Sequence, residues 1–348
     1  MKILFLSSGK RAPSSRFRIQ PYVRELRKDG HQCTIAHSFP AKYDYFPWMG
    51  FRPSQLLKRS VRWWHWFRAK LQQFEIVYVE REIFDSASWD MEERFRSLCR
   101  SMVLDVDDAV FLRYPEKFNR IVPLADLVVC GNRFIEEDIR SMHGSTICIP
   151  TCIDLANYPE RLKHSEVENP VVGWMGSAGN LQYLEVAAEA LRTVAAEKRF
   201  RLRLVVPDCT PLASIDLSGV EIEHHPWTPE TELAELHAMD IGLMPLFTDQ
   251  AWDRYKCGAK LLQYLAVGVP GIATPVGVNA DILSGNRTGF AASTTEEWRR
   301  RLRALLDESV LRQRMGQAGR ALVRDKYSIQ ANYPRLAAAL KGLVDEGS

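Results

Sequence analysis

The chain has 348 residues, 46% of them hydrophobic and 26% charged, with a formal net charge of +3. That length supports two domains of ordinary size, and the composition is that of a soluble globular protein. So small a net charge gives no basis for a nucleic-acid partner, and the lack of any apolar run of 18 residues excludes a membrane-spanning helix.

The seven cysteines (Cys33, Cys99, Cys130, Cys148, Cys152, Cys209, Cys257) are odd in number and contain no Cys-x-x-Cys pair. Most lie in apolar stretches, so buried thiols in a reducing compartment are expected rather than disulfides or zinc. The N-terminal KILFL run is too short for a signal peptide, and a cytoplasmic location is expected.

In chain order, residues 3–6 read as a first strand, followed by a turn at Ser7-Ser8-Gly9, a basic loop and a helix over about 16–28. Residues 31–36 read as a second strand, and the rhythm continues with strands at 76–79, 103–106, 127–130 and 146–150. Such alternation predicts a parallel doubly wound sheet. After a polar linker at 160–169 a second unit of the same kind begins. Its strands are predicted at 171–176, 202–207, 220–224 and 240–246, with a long amphipathic helix over 181–197. A buried strand, GIATP, follows at 271–275; the rest reads as mainly helical from about 296, with a kink expected at Pro334. The expected fold is therefore α/β: two doubly wound Rossmann-like domains with a cleft between them and a helical C-terminal tail. The expected boundaries are 1–160 and 161–325, with residues 326–348 crossing back to the first domain.

The stretch WDRYKCGAKLLQYLAVGVPGIATPVG, residues 252–277, carries the main chemical signal. Read as a helix from Lys256, it places Lys256, Lys260, Gln263 and Tyr264 on one stripe. Two lysines at the positive end of a helix cost roughly 0.3–1 kcal/mol each unless an anion sits there with them. A diphosphate is the natural candidate.

Two strand-end turns are further candidates. SSGKRAPSSRFR, residues 7–18, carries Lys10, Arg11, Arg16 and Arg18 but matches neither a P-loop nor a Gly-x-Gly-x-x-Gly fingerprint. The second turn runs from Gly173 to Asn180; Gly176 and Gly179 permit close approach of a phosphate, and Ser177 or Asn180 can cap the next helix. Asp105, Asp107 and Asp108 can be read as a metal-binding Asp-x-Asp, as acceptor-contacting carboxylates at a strand end, or as structural caps; the acceptor role is preferred and no metal is expected. No His-x-x-x-His or Ser/His/Asp spacing is convincing.

LLKRSVRWWHWFRAKL, residues 56–71, alternates Trp63, Trp64, Trp66 and Phe67 with basic side chains. Two readings stand: a helix lying on an anionic bilayer, or a helix packing its tryptophans on the sheet while arginines snorkel outward. The packed helix is slightly preferred.

Taken together, the SSRFR segment, ADLVVCGNRFIEEDI, CIPTCIDLANY, VVGWMGSAGN, AMDIGLMPL and KCGAKLLQYLAVGVPGIATPVG give the chain a nearly end-to-end resemblance to the group 1 (family 4) retaining glycosyltransferases of B-type fold. The resemblance implies transfer of a sugar from a UDP- or GDP-sugar to a hydroxyl of a glycan, glycolipid or small molecule, without metal or cofactor. A role in cell-envelope or polysaccharide biosynthesis is implied too. On this basis Lys256, Lys260, Arg16 and Arg18 are assigned to catalysis. Gly176, Ser177, Asn180, Tyr255, Gly258, Gln263 and Tyr264 are assigned to the donor; Ser8, Gly9, Asp107 and Asp108 to the acceptor. Where many relatives carry two glutamates eight positions apart, this chain has Tyr255 and Gln263, and Pro207-Asp208 stands where an Arg and a Lys are usual. A non-catalytic nucleotide-sugar-binding protein is the alternative these departures favour. A nicotinamide-dependent dehydrogenase lacks its dinucleotide fingerprint here.

Overall fold

The computed structural model describes residues 1–161 and 169–345, so the expected linker at 160–169 lies mostly outside the described residues. The chain forms two units, Met1–Cys152 with Ile329–Ser348, and Ile153–Ser328.

The first unit holds a parallel sheet of β1 (Lys2–Ser7), β2 (Gln32–His37), β3 (Phe74–Glu80), β4 (Cys99–Val106), β5 (Leu127–Cys130) and β6 (Thr146–Cys148), in the order β2-β1-β3-β4-β5-β6. Its inner strands are mainly apolar and buried because a parallel sheet is covered on both faces, whereas the edge strands β2 and β6 are only partly buried. Ile3, Phe5, Ile76, Tyr78 and Val103 are buried, with the Phe5 and Tyr78 rings 5.0 Å apart. Helix α1 (Gln20–Lys28) packs on this core with the C-terminal helix Ile329–Asp345, which runs through Pro334 as one element. Residues 15–19, expected to open α1, form a separate π-type turn instead.

Helix α2 (Phe51–Gln72) overturns the preferred packing of the tryptophan-rich segment. Its buried residues are Ser54, Lys58, Arg62 and Ala69, whereas Trp63, Trp64 and Phe67 are about half exposed. The reason lies at the strand ends. Arg62 donates to Ala36 O at 2.8 Å and Ser7 O at 2.6 Å, and Lys58 donates to Lys42 O at 2.7 Å. Buried carbonyls need donors, and these long cations reach them where an indole would not.

The second unit repeats the plan with β7 (Val171–Met175), β8 (Arg201–Val205), β9 (Glu221–His225), β10 (Ile241–Met244), β11 (Gly271–Ala273) and β12 (Gly289–Ala291), in the order β12-β11-β10-β7-β8-β9, all parallel. Its core gathers Trp174, Leu202, Leu243, Ile272 and Trp298. A fully buried side chain of this kind contributes about 1.5–3 kcal/mol. The three-residue β12 was not expected from the sequence. The long helix expected over 181–197 is split into a 3-10 segment, Ala178–Leu184, and α3 (Glu185–Ala195).

The helix of the central motif also starts later than expected. Ala251–Tyr255 is a 3-10 turn, Lys256 is extended, and α4 spans Ala259–Ala266. Gly258 sets that start: at φ +65° it stands in the left-handed region, and a Cβ there would meet Ile282 Cδ1 at 2.9 Å. Lys256 therefore lies before the helix, off the stripe formed by Lys260, Gln263 and Tyr264. Beyond α4 the described chain is helical over α5 (Thr295–Asp307) and α6 (Ser309–Lys326).

Candidate functional site

Doubly wound sheets bind ligands beyond the strand ends where the strand order reverses. In the second unit that point lies between β7 and β10, just past Met175 and Met244. Gly176 leaves β7 there, and Lys260 comes over it from α4. The Lys260 ammonium sits 4.4 Å from the centre of the Trp174 ring, and a Cβ on Gly176 would fall 2.8 Å from Lys260 Nζ. Gly176 thus makes room for an ammonium group. Its own N–H donates to Val205 O at 3.1 Å, so that amide is engaged within the sheet.

Lys260 makes no hydrogen bond or ion pair among the described residues. Burial, reinforced by the positive charge of Lys256 and only partly opposed by Asp253, lowers its pKa to about 7. Lys256 is held differently. Its Nζ lies 3.7 Å from Asp253 Oδ1 and 5.1 Å from the Tyr183 ring centre. Asp253 is fully buried and accepts from Tyr183 OH at 2.6 Å and from Phe247 N–H at 3.2 Å. Neither Asp253 nor Tyr183 was picked out from the sequence. Asp253 stands three residues before Lys256, the spacing of an ion pair across one turn, and that signal was available.

Helix α4 adds positive potential. Gly258 at its N-cap offers no side-chain acceptor, no acidic residue stands in the first turn, and first-turn amides have no intrahelical acceptor. Two ammonium groups, one buried carboxylate and an uncapped helix start make a site that favours an anion.

The other expected donor residues divide. Ser177 is exposed at the start of the 3-10 segment but forms no capping bond with its side chain, and Asn180 donates its N–H to Ser177 O at 3.0 Å. Tyr255 is buried on the turn before Lys256. Gln263 and Tyr264 are corrected to structural roles. Gln263 Nε2 donates to Tyr158 OH at 3.1 Å, and that hydroxyl donates to Glu232 at 2.6 Å, so the amide is spent inside the unit. Tyr264 OH accepts from Met175 N–H at 3.1 Å and donates to Leu243 O at 3.3 Å, tying α4 to β7 and β10.

In the first unit the strand order reverses between β1 and β3. Beyond β1, Ser8 N–H donates to Glu80 Oε2 at 3.0 Å and Ser14 OH donates to Glu80 Oε1. The Ser8 hydroxyl is buried without a hydrogen-bond partner among the described residues. Gly9, at φ +152°, packs so closely on Ala41 that a Cβ would come within 2.8 Å of its methyl. Arg18 is a correction: it is 2% exposed and clamps Asp105 Oδ1 through Nε at 2.8 Å and Nη2 at 2.6 Å, while Nη1 donates to Ile149 O at 3.0 Å. Burial works against its charge, but Asp105 and then Asp107 outweigh it and push its pKa up. Tyr78 OH takes the other Asp105 oxygen at 2.7 Å. Asp107 pairs with Arg81, which also approaches Asp108 at 3.7 Å. Burial of Asp107 raises its pKa, yet the Arg81 charge lowers it overall. Arg16 is partly exposed, its guanidinium 5.4 Å from the Phe17 ring. Among the described residues no three His, Cys, Asp or Glu side chains cluster as a metal site would require.

Residues 169–308 match the family model described as glycosyl transferases group 1. No curated protein matches the chain by sequence. Among solved structures, sucrose-phosphate synthase from Thermosynechococcus elongatus is similar with a TM-score of 0.76 at 13% identity, over 99% of this chain and 100% of that one. A glycosyltransferase from Rickettsia africae gives 0.70 at 12%, over 99% and 98%. HepE from Anabaena, solved with UDP-glucose, gives 0.65 at 12%, over 98% and 100%. At such identities these structures speak for the fold, the two-unit B-type fold of glycosyltransferases. The second unit, over residues 169–308, is similar to the group 1 glycosyl transferases.

Proposed function

We propose that this protein transfers a sugar from a nucleotide-diphosphate sugar to a hydroxyl acceptor, with retention at the anomeric carbon and without metal. The observation that carries this reading is the partly buried Lys260, without a hydrogen bond or ion pair among the described residues, beside Lys256 at the uncapped start of α4. As the sugar–oxygen bond breaks, negative charge grows on the departing diphosphate. Lys260, Lys256, the first-turn amides of α4 and the exposed Ser177 are placed to receive it, each preorganised donor being worth about 3–4 kcal/mol. The acceptor's proton passes to the leaving diphosphate, so no carboxylate nucleophile is required. Ser8, Gly9, Asp107 and Asp108 are assigned to the acceptor, the orphaned Ser8 hydroxyl giving the best support. Arg16 remains assigned to anion contact. HepE was solved with UDP and with UDP-glucose, which favours a UDP-sugar donor over a GDP-sugar.

The acceptor is a glycan, a glycolipid or a small molecule, in keeping with envelope or polysaccharide biosynthesis. The reaction is assigned to the cytoplasm, with a peripheral contact to the inner face of the membrane through Trp63, Trp64 and Trp66. Calorimetric titration with UDP, GDP and their glucose conjugates, followed by assay for released nucleoside diphosphate, tests this reading. Lys260→Ala is expected to cut turnover by roughly two orders of magnitude. Turnover unchanged in that variant would remove the role given to Lys260.

A second reading, a non-catalytic protein that binds nucleotide sugars, draws support from Gln263. Its amide is engaged with Tyr158, and Tyr255 offers no carboxylate. Tight binding with no release of nucleoside diphosphate for any donor and acceptor pair would favour it.

A further inference from the structure

We infer that the outward face of α2, with the aromatic loop at residues 39–50, is a docking face for an anionic lipid bilayer. The inference deepens the membrane contact proposed above and is independent of nucleotide binding.

Helix α2 is amphipathic in the inverted sense. Its inward cations, Lys58 and Arg62, are consumed by the carbonyls of Lys42, Ala36 and Ser7, which fixes the helix rotation about its axis. That rotation drives the large apolar side chains outward. On that face Leu71 is 70% exposed, Leu56 66%, and Trp64 and Phe67 half or more, while Trp48 in the preceding loop is 78% exposed and Phe51 at the helix start 61%. The rings are already assembled: Trp64 stacks on Phe67 with centroids 6.3 Å apart, and Phe46 stacks on Trp48 at 5.9 Å. Exposed, assembled aromatic surface of this kind marks an interaction site.

Charge selects the occupant. Residues 39–73 contain seven Lys and Arg and one acid, Asp44. Four of the cations, Arg52, Arg59, Arg68 and Lys70, are exposed around the aromatic face. A second copy of this chain would bring like charges together across the contact. An anionic headgroup layer neutralises them, and tryptophan is the side chain best suited to the boundary between headgroups and acyl chains. Among the described residues no helix is long and apolar enough to cross a membrane, so α2 lies on the bilayer. Each exposed cation near such a surface is worth roughly a fivefold gain in affinity.

The test is co-sedimentation of the full chain with phosphatidylcholine vesicles, with and without about 30% phosphatidylserine. Binding to the anionic vesicles is expected, at least tenfold stronger than to neutral ones and weakened as salt rises from about 0.05 to about 0.5 M. The pair Trp64→Ser with Phe67→Ser is expected to lower it at least tenfold, and Arg59→Glu with Arg68→Glu to a similar extent. Both pairs should keep the wild-type melting temperature and affinity for UDP-glucose. The inference is overturned if the chain binds neither vesicle, if it binds both equally, or if either variant pair binds as the wild type does. Salt-resistant dimerisation that both pairs abolish would assign the face to a second copy and overturn it too. Because UDP-glucose binding is read separately, failure of the bilayer inference leaves the glycosyl-transfer reading standing, and the reverse.

Discussion

Arg18 and Lys260 begin as the same signal in the sequence, a basic residue near the start of a helix that follows a parallel strand. The structure gives them opposite fates. Arg18 finds Asp105 on β4, spends its guanidinium on that carboxylate and on Ile149 O, and has its pKa pushed up. Lys260 finds an aromatic ring, a second lysine and no direct acid partner, and its pKa falls to about 7. A buried cation that is already neutralised supports the fold. One left unneutralised costs the free protein stability and is repaid only when an anion arrives.

The largest effect that would break this contrast is on stability. Arg18→Met strands the buried Asp105 carboxylate and is expected to cost about 3–5 kcal/mol. For a unit of this size that is a fall in melting temperature of roughly 10 °C. A melting temperature unchanged in scanning calorimetry would place Arg18 in a different class from the one assigned. Lys260→Met runs the other way. Its depressed pKa means the folded chain binds fewer protons than the unfolded chain above about pH 7. The ligand-free protein therefore pays for this lysine below its ordinary pKa and gains stability as pH rises from about 7 to about 10. Removing the amine should leave the ligand-free melting temperature at pH 7 equal or higher, while turnover falls about a hundredfold.

Asp253→Asn sharpens the comparison within the second unit. It keeps an acceptor for Tyr183 but removes the charge beside Lys256, so affinity for UDP-glucose should change by less than about tenfold, with a loss of roughly 1–3 kcal/mol in stability. A complete loss of binding would mean that Asp253 acts on the ligand more directly. The smallest change is expected from Gln263→Leu, which interrupts the Tyr158–Glu232 network at a cost of about 1 kcal/mol and leaves nucleotide affinity intact. A large drop in affinity would return Gln263 to the donor.

The repeated α/β plan was legible because the inner parallel strands are mainly apolar and alternate with helical segments at regular intervals. Among the described residues eleven of the twelve strands have a counterpart in the sequence reading; the exception is β12, three residues on the outer edge of its sheet. Local pattern ran too far at residues 256–258. The stripe of Lys256, Lys260, Gln263 and Tyr264 assumes an unbroken helix, yet Gly258 interrupts it with a left-handed residue. Lys256 and Lys260 still point to one site, for a reason the periodicity does not contain. Gln263 was misread because its partner Tyr158 lies 105 residues away in sequence. Arg62 escaped for the same reason: the rule that tryptophans go in and arginines out gives way where Ser7 and Ala36 present buried carbonyls.

The most direct test of the unpaired lysine is proton counting. UDP-glucose carries a fully ionised diphosphate diester at neutral pH, so any proton taken from the buffer on binding is bound by a group on the protein. Calorimetric titrations at pH 7 in buffers of different ionisation enthalpy should register net proton uptake, since the Lys260 pKa is lowered in the free protein and rises again beside the diphosphate. Lys260→Met should bind more weakly and take up none. Wild-type binding with no proton uptake, or the same uptake in Lys260→Met, would contradict the account.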